Sequence, residues 1–138
     1  MAIKKQLRLA LVSAGLLIVP IVPGNGHAKY KADPVAIAQL PHFCWAQYMD
    51  NVSGPEYQID PRDCGWGMNH YCPGLIKLIE AKRSFGDRRK RLGYLQVAKE
   101  DTLYTLRAMK DYPACSLRGH VEKTLNEING YLRAMGQK

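Results

Sequence analysis

Apolar residues recur at three- and four-residue spacing over three long stretches of the chain, and in none do they alternate with period two, so the pattern predicts helices and no sheet. In the first stretch, Met68 to Ser84, the stripe is Cys72, Leu75, Leu78 and Ile79, while Lys77 and Glu80 fall off it. Pro73 fits that helix's first turn, where no backbone donor is lost. The second stretch, Arg88 to about Lys110, puts Leu92, Leu95, Leu103 and Leu106 on one face and Val97, Tyr104 and Ala108 on another. A helix apolar on two sides is expected to be packed on two sides. The third stretch follows Ser116, a plausible N-cap, and its stripe of Val121, Leu125, Ile128, Leu132 and Met135 leaves one face wet.

The link Ser84-Phe85-Gly86-Asp87 joins the first two helices, with Gly86 suited to a left-handed C-terminal turn and Asp87 to the next N-cap. So short a link forces an antiparallel hairpin. Upstream, Asp33-Pro34 reads as an N-cap and first-turn proline opening a short helix over Val35 to Leu40, and Pro41 starts another through Met49. Between Asp50 and Gly67, Gly54-Pro55, Asp60-Pro61, Gly65 and Gly67 predict a long loop pinned by Cys64. The expected fold is all-α: an antiparallel hairpin, a third helix, and an N-terminal cap of short helices and loop tied on by disulfides.

The first 28 residues stand apart. A basic start (Lys4, Lys5, Arg8), an apolar run from Leu9 to Val22 and the small-residue exit Gly26-His27-Ala28 form a three-part export signal. Pro20 and Pro23 break the apolar run, which is short for a span of roughly 30 Å of hydrocarbon. Cleavage near Ala28 and a periplasmic or secreted product are expected, with membrane anchoring as the alternative if the signal is kept. The division is then 1–28 signal, 29–67 cap and 68–138 helical region, the last two forming one domain. Of 20 basic and 12 acidic residues the signal holds three basic and no acidic ones, so the mature chain stays basic. That charge suits acidic proteins, polyanions or anionic lipid. Export argues against nucleic acid as a partner. Eight Tyr against two Phe suggest a core whose aromatic edges keep a hydroxyl near water or a buried partner.

Tyr71, Gly74 and Leu75 early in the first helix, a turn, and a second helix closing at Tyr112-Pro113 resemble a tetratricopeptide repeat. Tyr71, Ala98, Ala108 and Pro113 match its pattern, and the third helix would open a following, incomplete repeat. Gly74 precedes Leu75 where the repeat has the reverse order, and the basic hairpin is several residues long for it. The resemblance covers about Met68 to Met135. It implies a scaffold that binds another protein, its inward surface including Pro73, Lys77 and Glu80. The segment CGWGMNHYCPGL, Cys64 to Leu75, is also similar to the start of small exported helical proteins of proteobacteria, a family that implies no known reaction.

Four cysteines, Cys44, Cys64, Cys72 and Cys115, in an exported chain predict two disulfides. An antiparallel hairpin sets the start of its first helix beside the end of its second, which favours Cys72 with Cys115 and leaves Cys44 for Cys64. Three pairings are possible, and the spacing alone does not choose. Each bridge would stabilise by roughly 3 to 4 kcal/mol in the chain-entropy model. The competing reading is a metal-handling or redox site, since Cys64, Met68, His70 and Cys72 crowd into nine residues and suit copper or zinc. No Cys-x2-Cys pair accompanies them, so neither metal nor cofactor is expected.

His70 with Asp63 or Asp101 could serve as a base and its partner, but no nucleophile elbow or glycine-rich phosphate cradle accompanies them, so the chain does not read as an enzyme. Asp101, mid-helix between apolar faces, is expected to pair with an arginine or a tyrosine hydroxyl. Trp45 and Trp66 are expected to cover a Cys44–Cys64 bridge. Six cations, Lys82, Arg83, Arg88, Arg89, Lys90 and Arg91, crowd the hairpin tip and could grip a phosphate, an acidic partner or, weakly, an anionic membrane surface. The function expected is that of a non-catalytic adaptor or accessory protein in the cell envelope. It would bind a protein partner through the first helix and the basic tip. Self-association is expected too, because an incomplete repeat buries little alone.

Overall fold

The computed structural model describes residues 30–137. The segment expected to be an export signal, residues 1–28, lies outside the described residues. Within them every regular element is helical and no strand occurs. The α-helices are α1 (Pro34–Ile37), α2 (Pro61–Cys64), α3 (Tyr71–Arg83), α4 (Arg88–Ala108) and α5 (Arg118–Ala134), joined in part by 3-10 turns. No described helix is long and apolar enough to cross a membrane.

Local chemistry explains most of the boundaries. Asp33 accepts a hydrogen bond from the Val35 amide at 3.1 Å and Pro34 opens α1. Gly86 takes a φ of +102°, which ends the α3 side of the hairpin, and Asp87 accepts from the Lys90 amide at 2.9 Å to start α4. The segment expected to be one long loop is instead a series of helical turns: Pro55–Tyr57, α2, and Trp66–His70, which runs directly into α3. Its special residues punctuate helix rather than prevent it. Asp60 caps α2 through the Arg62 amide at 2.8 Å, and Gly65, at φ +80°, lets the chain turn from α2 into the next element. Ser116 does not cap α5. Leu117 holds that place without a side-chain cap, and the corner is secured by Cys115 and by Arg118 Nη2 donating to the Met109 carbonyl at 2.5 Å.

α4 is the central helix, packed by α3 on one flank and α5 on another, whereas α3 and α5 barely meet. Gly67 faces Ala108 and Gly74 faces Asp101, so α3 and α4 are antiparallel with small residues at their closest approach. This path of small residues decides which face of α4 is core. Leu95, Ala98, Thr102, Thr105 and Met109 are buried, while Leu92, Leu103 and Leu106 are half-buried. The two buried threonines satisfy their hydroxyls within the helix, Thr102 Oγ1 donating to the Ala98 carbonyl at 2.7 Å and Thr105 Oγ1 to that of Asp101 at 2.8 Å. Val97 and Tyr104, expected to pack, stay 46% and 45% exposed: α3 and α5 lie against other faces of α4, and Tyr104 is covered on one side by His70. α5 buries Val121, Thr124, Ile128 and Leu132 and keeps one wet face, as its stripe predicts.

Three apolar clusters hold the molecule. Leu78, Ala81, Leu95, Ala98, Ile128 and Leu132 fill the space nearer the hairpin tip. Met68, Tyr71, Met109 and Val121 surround the Cys64–Cys115 disulfide at the opposite end. Ala36, Leu40 and Ile76 surround Cys44–Cys72 between the cap and the outer face of α3. All four cysteines are therefore bridged, but not in the pairing the hairpin geometry favours. Cys72 lies two residues, about 200° of helical rotation, from Gly74, so it points away from α4 and toward the cap. Cys64, on α2, reaches the α4–α5 corner in its place. Two disulfides fit an oxidising compartment outside the cytoplasm.

Candidate functional site

Because α3 and α5 both lean on α4 without closing on each other, a groove of about 240 Å³ remains between them. Leu75, Leu78 and Ile79 supply its apolar side from α3, and His120, Lys123 and Glu127 its polar side from α5. Gln39, Leu40 and Pro41 of the cap form a third wall. Two polar ties span it. Tyr71 Oη and Thr124 Oγ1 share a hydrogen bond at 2.8 Å, and Lys82 Nζ meets Glu127 Oε1 at 2.6 Å. Burial pushes the Tyr71 hydroxyl above the ordinary tyrosine range, an effect the bond to Thr124 partly offsets. The groove thus combines an apolar floor, a charged rim and walls fixed by covalent and hydrogen-bonded links.

The sequence-predicted inward residues lie elsewhere. On α3 the groove is lined by Tyr71, Leu75, Leu78 and Lys82, and Pro73, Lys77 and Glu80 fall about half a turn of helix away. Lys77 is occupied by Glu80 at 2.7 Å and lies 5.2 Å from the Tyr94 ring centre. Of the predicted positions, only Lys82 reaches the groove. The signal for it was present in α5: Lys123, Thr124 and Glu127 put polar groups beside the apolar stripe on neighbouring turns.

The basic tip is partly spoken for. Arg83 pairs with Asp33, whose carboxyl is held below its usual range by that guanidinium, and so ties the cap to the end of α3. Arg88 Nη2 donates to the Met135 carbonyl at 2.6 Å, joining the start of α4 to the end of α5. Lys90 lies over Tyr94, and Arg91 over Phe85 and Tyr131. Of the six, Arg89 alone makes no such contact among the described residues.

The four residues of the metal or redox reading are dispersed. Cys64 and Cys72 are in different disulfides, Met68 is in the core, and His70 faces outward. Among the described residues no three His, Cys, Asp or Glu side chains converge to hold a metal. Asp101 pairs with neither arginine nor tyrosine. Its Oδ1 lies 3.2 Å from His70 Nδ1, and the imidazole packs on Tyr104 with ring centres 4.3 Å apart. Nor do the tryptophans cover a shared disulfide: Trp66 is 69% exposed, while Trp45 stacks on Tyr57 and donates to the Leu40 carbonyl at 3.1 Å. A second, almost wholly apolar hollow of about 320 Å³ is lined by Pro34, Ile37, Ala38, Trp45 and Met49 on the cap. The chain matches no protein-family model, no curated protein and no solved structure.

Proposed function

We propose that this protein is an exported, non-catalytic helical adaptor that binds a segment of another protein of the cell envelope in the groove between α3 and α5. The observation that carries the reading is the groove itself: Leu75, Leu78 and Ile79 offer an apolar strip, and Lys123, beside the mutually paired Lys82 and Glu127, offers a charge to fix the register of a bound chain. The two disulfides support it, because a surface held rigid loses less entropy when it binds.

The test is site-specific photo-cross-linking in the envelope of the producing cell. A photoreactive residue at Lys123 should capture a discrete protein, and one at Gly130, on the same helix outside the groove lining, should not. With the probe moved to His120 on the same wall, Lys123→Glu should weaken the capture without lowering thermal stability, because Lys123 is exposed. Equal capture from both positions, or none from Lys123, refutes the reading.

A further inference from the structure

We infer that the α3–α4 hairpin tip is a membrane-surface anchor, in which Phe85 enters the interface of an anionic phospholipid bilayer and the surrounding cations bind lipid phosphates. The inference does not depend on the groove.

Phe85 is 86% exposed, the most exposed of the large apolar side chains described. It sits at the apex of the four-residue link, and a Cβ placed on its neighbour Gly86 would meet nothing within 4 Å, so the apex stands clear of the body. Nothing in the fold requires phenylalanine there. Any polar residue would serve the turn.

Six cations flank it in the sequence from Lys82 to Arg91, where the one carboxylate, Asp87, is engaged in capping α4. Lys82 and Arg83 are neutralised by Glu127 and Asp33. Arg88, Arg89, Lys90 and Arg91 meet no carboxylate among the described residues, and the buried Nε of Arg91 has no hydrogen-bond partner. These four occupy the first turn of α4, which contains no acidic residue. The positive end of the helix dipole disfavours cations there. The chain therefore holds an arrangement that costs helix stability, and an external anion would relieve it.

Phosphate groups alone would satisfy the cations and leave Phe85 in water. A bilayer interface satisfies both, because it presents phosphates at the level of the guanidinium groups and acyl chains just beneath them. Arg91, whose guanidinium lies 5.5 Å from the Phe85 ring centre, binds the charged and apolar parts into one element. The ends of α3 and α5 lie at this same end of the bundle, Arg133 in the last turn of α5 adding a further cation. An anchored molecule would stand on its tip, with the disulfide-bonded end and Trp66 farthest from the lipid.

The test reads residue 85 itself in the full chain, so that attachment through any other segment does not register. Phe85→Trp is mixed with vesicles of phosphatidylcholine alone or phosphatidylcholine with phosphatidylglycerol, and the contribution of Trp45 and Trp66 is removed by subtracting the wild-type spectrum. With phosphatidylglycerol the added emission should shift to the blue and be quenched by brominated acyl chains. Both effects should be absent on phosphatidylcholine and weakened several-fold by salt or by Arg89→Glu. Phe85→Ser should reduce the tip's contribution to vesicle affinity roughly ten-fold, the worth of burying one such side chain. Emission at position 85 that neither shifts nor is quenched on phosphatidylglycerol overturns the proposal. So does an equal response on phosphatidylcholine.

Discussion

Gly67 is the residue on which the packing of α3 against α4 turns, and Gly67→Ala measures how tightly. It lies buried in the Trp66–His70 turn, and a Cβ at this position would stand 2.0 Å from Ala108 Cβ, with the Ala108 Cα at 3.5 Å and Tyr104 Cε1 at 3.6 Å. Carbon atoms in contact keep about 3.5 Å or more, so backbone must separate by roughly 1.5 Å. The turn has little freedom to retreat: Cys64 beside it is bonded to Cys115, and Met68 next to it is 2% exposed. Overpacking of this kind costs about 1–3 kcal/mol, and a clash between two Cβ atoms, which no rotamer change relieves, belongs at the upper end. The stiffer unfolded chain returns about 0.4–1 kcal/mol, leaving a net loss of roughly 2 kcal/mol. Urea unfolding should show the midpoint fall with an unchanged slope, and the melting temperature should drop by about 4–8 °C per kcal/mol.

Ala108→Gly is the partner substitution. Alone it should cost up to about 1 kcal/mol of helix propensity, but beside Gly67→Ala it removes the colliding methyl, so the double variant should be about 2 kcal/mol more stable than the sum of the singles implies. Gly93→Ala and Gly130→Ala, where an added Cβ meets nothing within 4 Å, should instead stabilise α4 and α5 by up to about 1 kcal/mol each. Additivity of the first pair within about 0.5 kcal/mol would refute the close approach of the two helices.

Replacing Cys44 and Cys72 together by Ala should cost about 3–4 kcal/mol for a closed span of 28 residues, and replacing Cys64 and Cys115 about 4 kcal/mol for 51. Peptide mapping without reductant checks the pairing directly, and a Cys72–Cys115 peptide would contradict it. Burial raises the hydroxyl pKa of Tyr48 and of Tyr71. Their contribution to stability is therefore complete below the unfolded tyrosine value of about 10 and is lost as pH climbs from there toward the raised folded values. Ultraviolet titration should show these two ionising late, at or with unfolding, and removing Tyr71 by Phe should shrink that late step.

Large residues made the helices legible and small ones hid how they fit. The three-four spacing of Leu, Ile and Val marked α3, α4 and α5, and Asp33-Pro34 and Gly86-Asp87 marked two starts, because those signals are local. The face that α4 offers its neighbours was misread, since Gly67, Gly74, Ala98, Thr102 and Thr105 define the contact and carry little hydrophobic weight. The disulfide pairing followed that error. Once Gly74 faces α4, Cys72 must face the cap, and only Cys64 is left near Cys115. The groove was hidden for a related reason, because it exists only through the angle at which α3 and α5 diverge, a property of no single segment.

The two disulfides are not equivalent in what they build. Their spans interleave, 44 to 72 and 64 to 115, so the start of α3 is clamped from both sides while the tip end is held by packing and by the contacts of Arg83 and Arg88. Cys64–Cys115 lines no part of the groove; it sits within the cluster that joins α2 to the α4–α5 corner and that borders the groove through Tyr71 and Leu75. Cys44–Cys72 fixes the cap, and the cap supplies Gln39, Leu40 and Pro41 to the groove wall. Losing the first bond should therefore lower stability while the folded fraction keeps its groove. Losing the second should also open one wall, so binding should weaken by more than the unfolded fraction explains. In a cap of short helices, with α1 only four residues long, a covalent bond substitutes for the packing area that such elements cannot supply. The shape of the groove then depends on the oxidation state of Cys44 and Cys72.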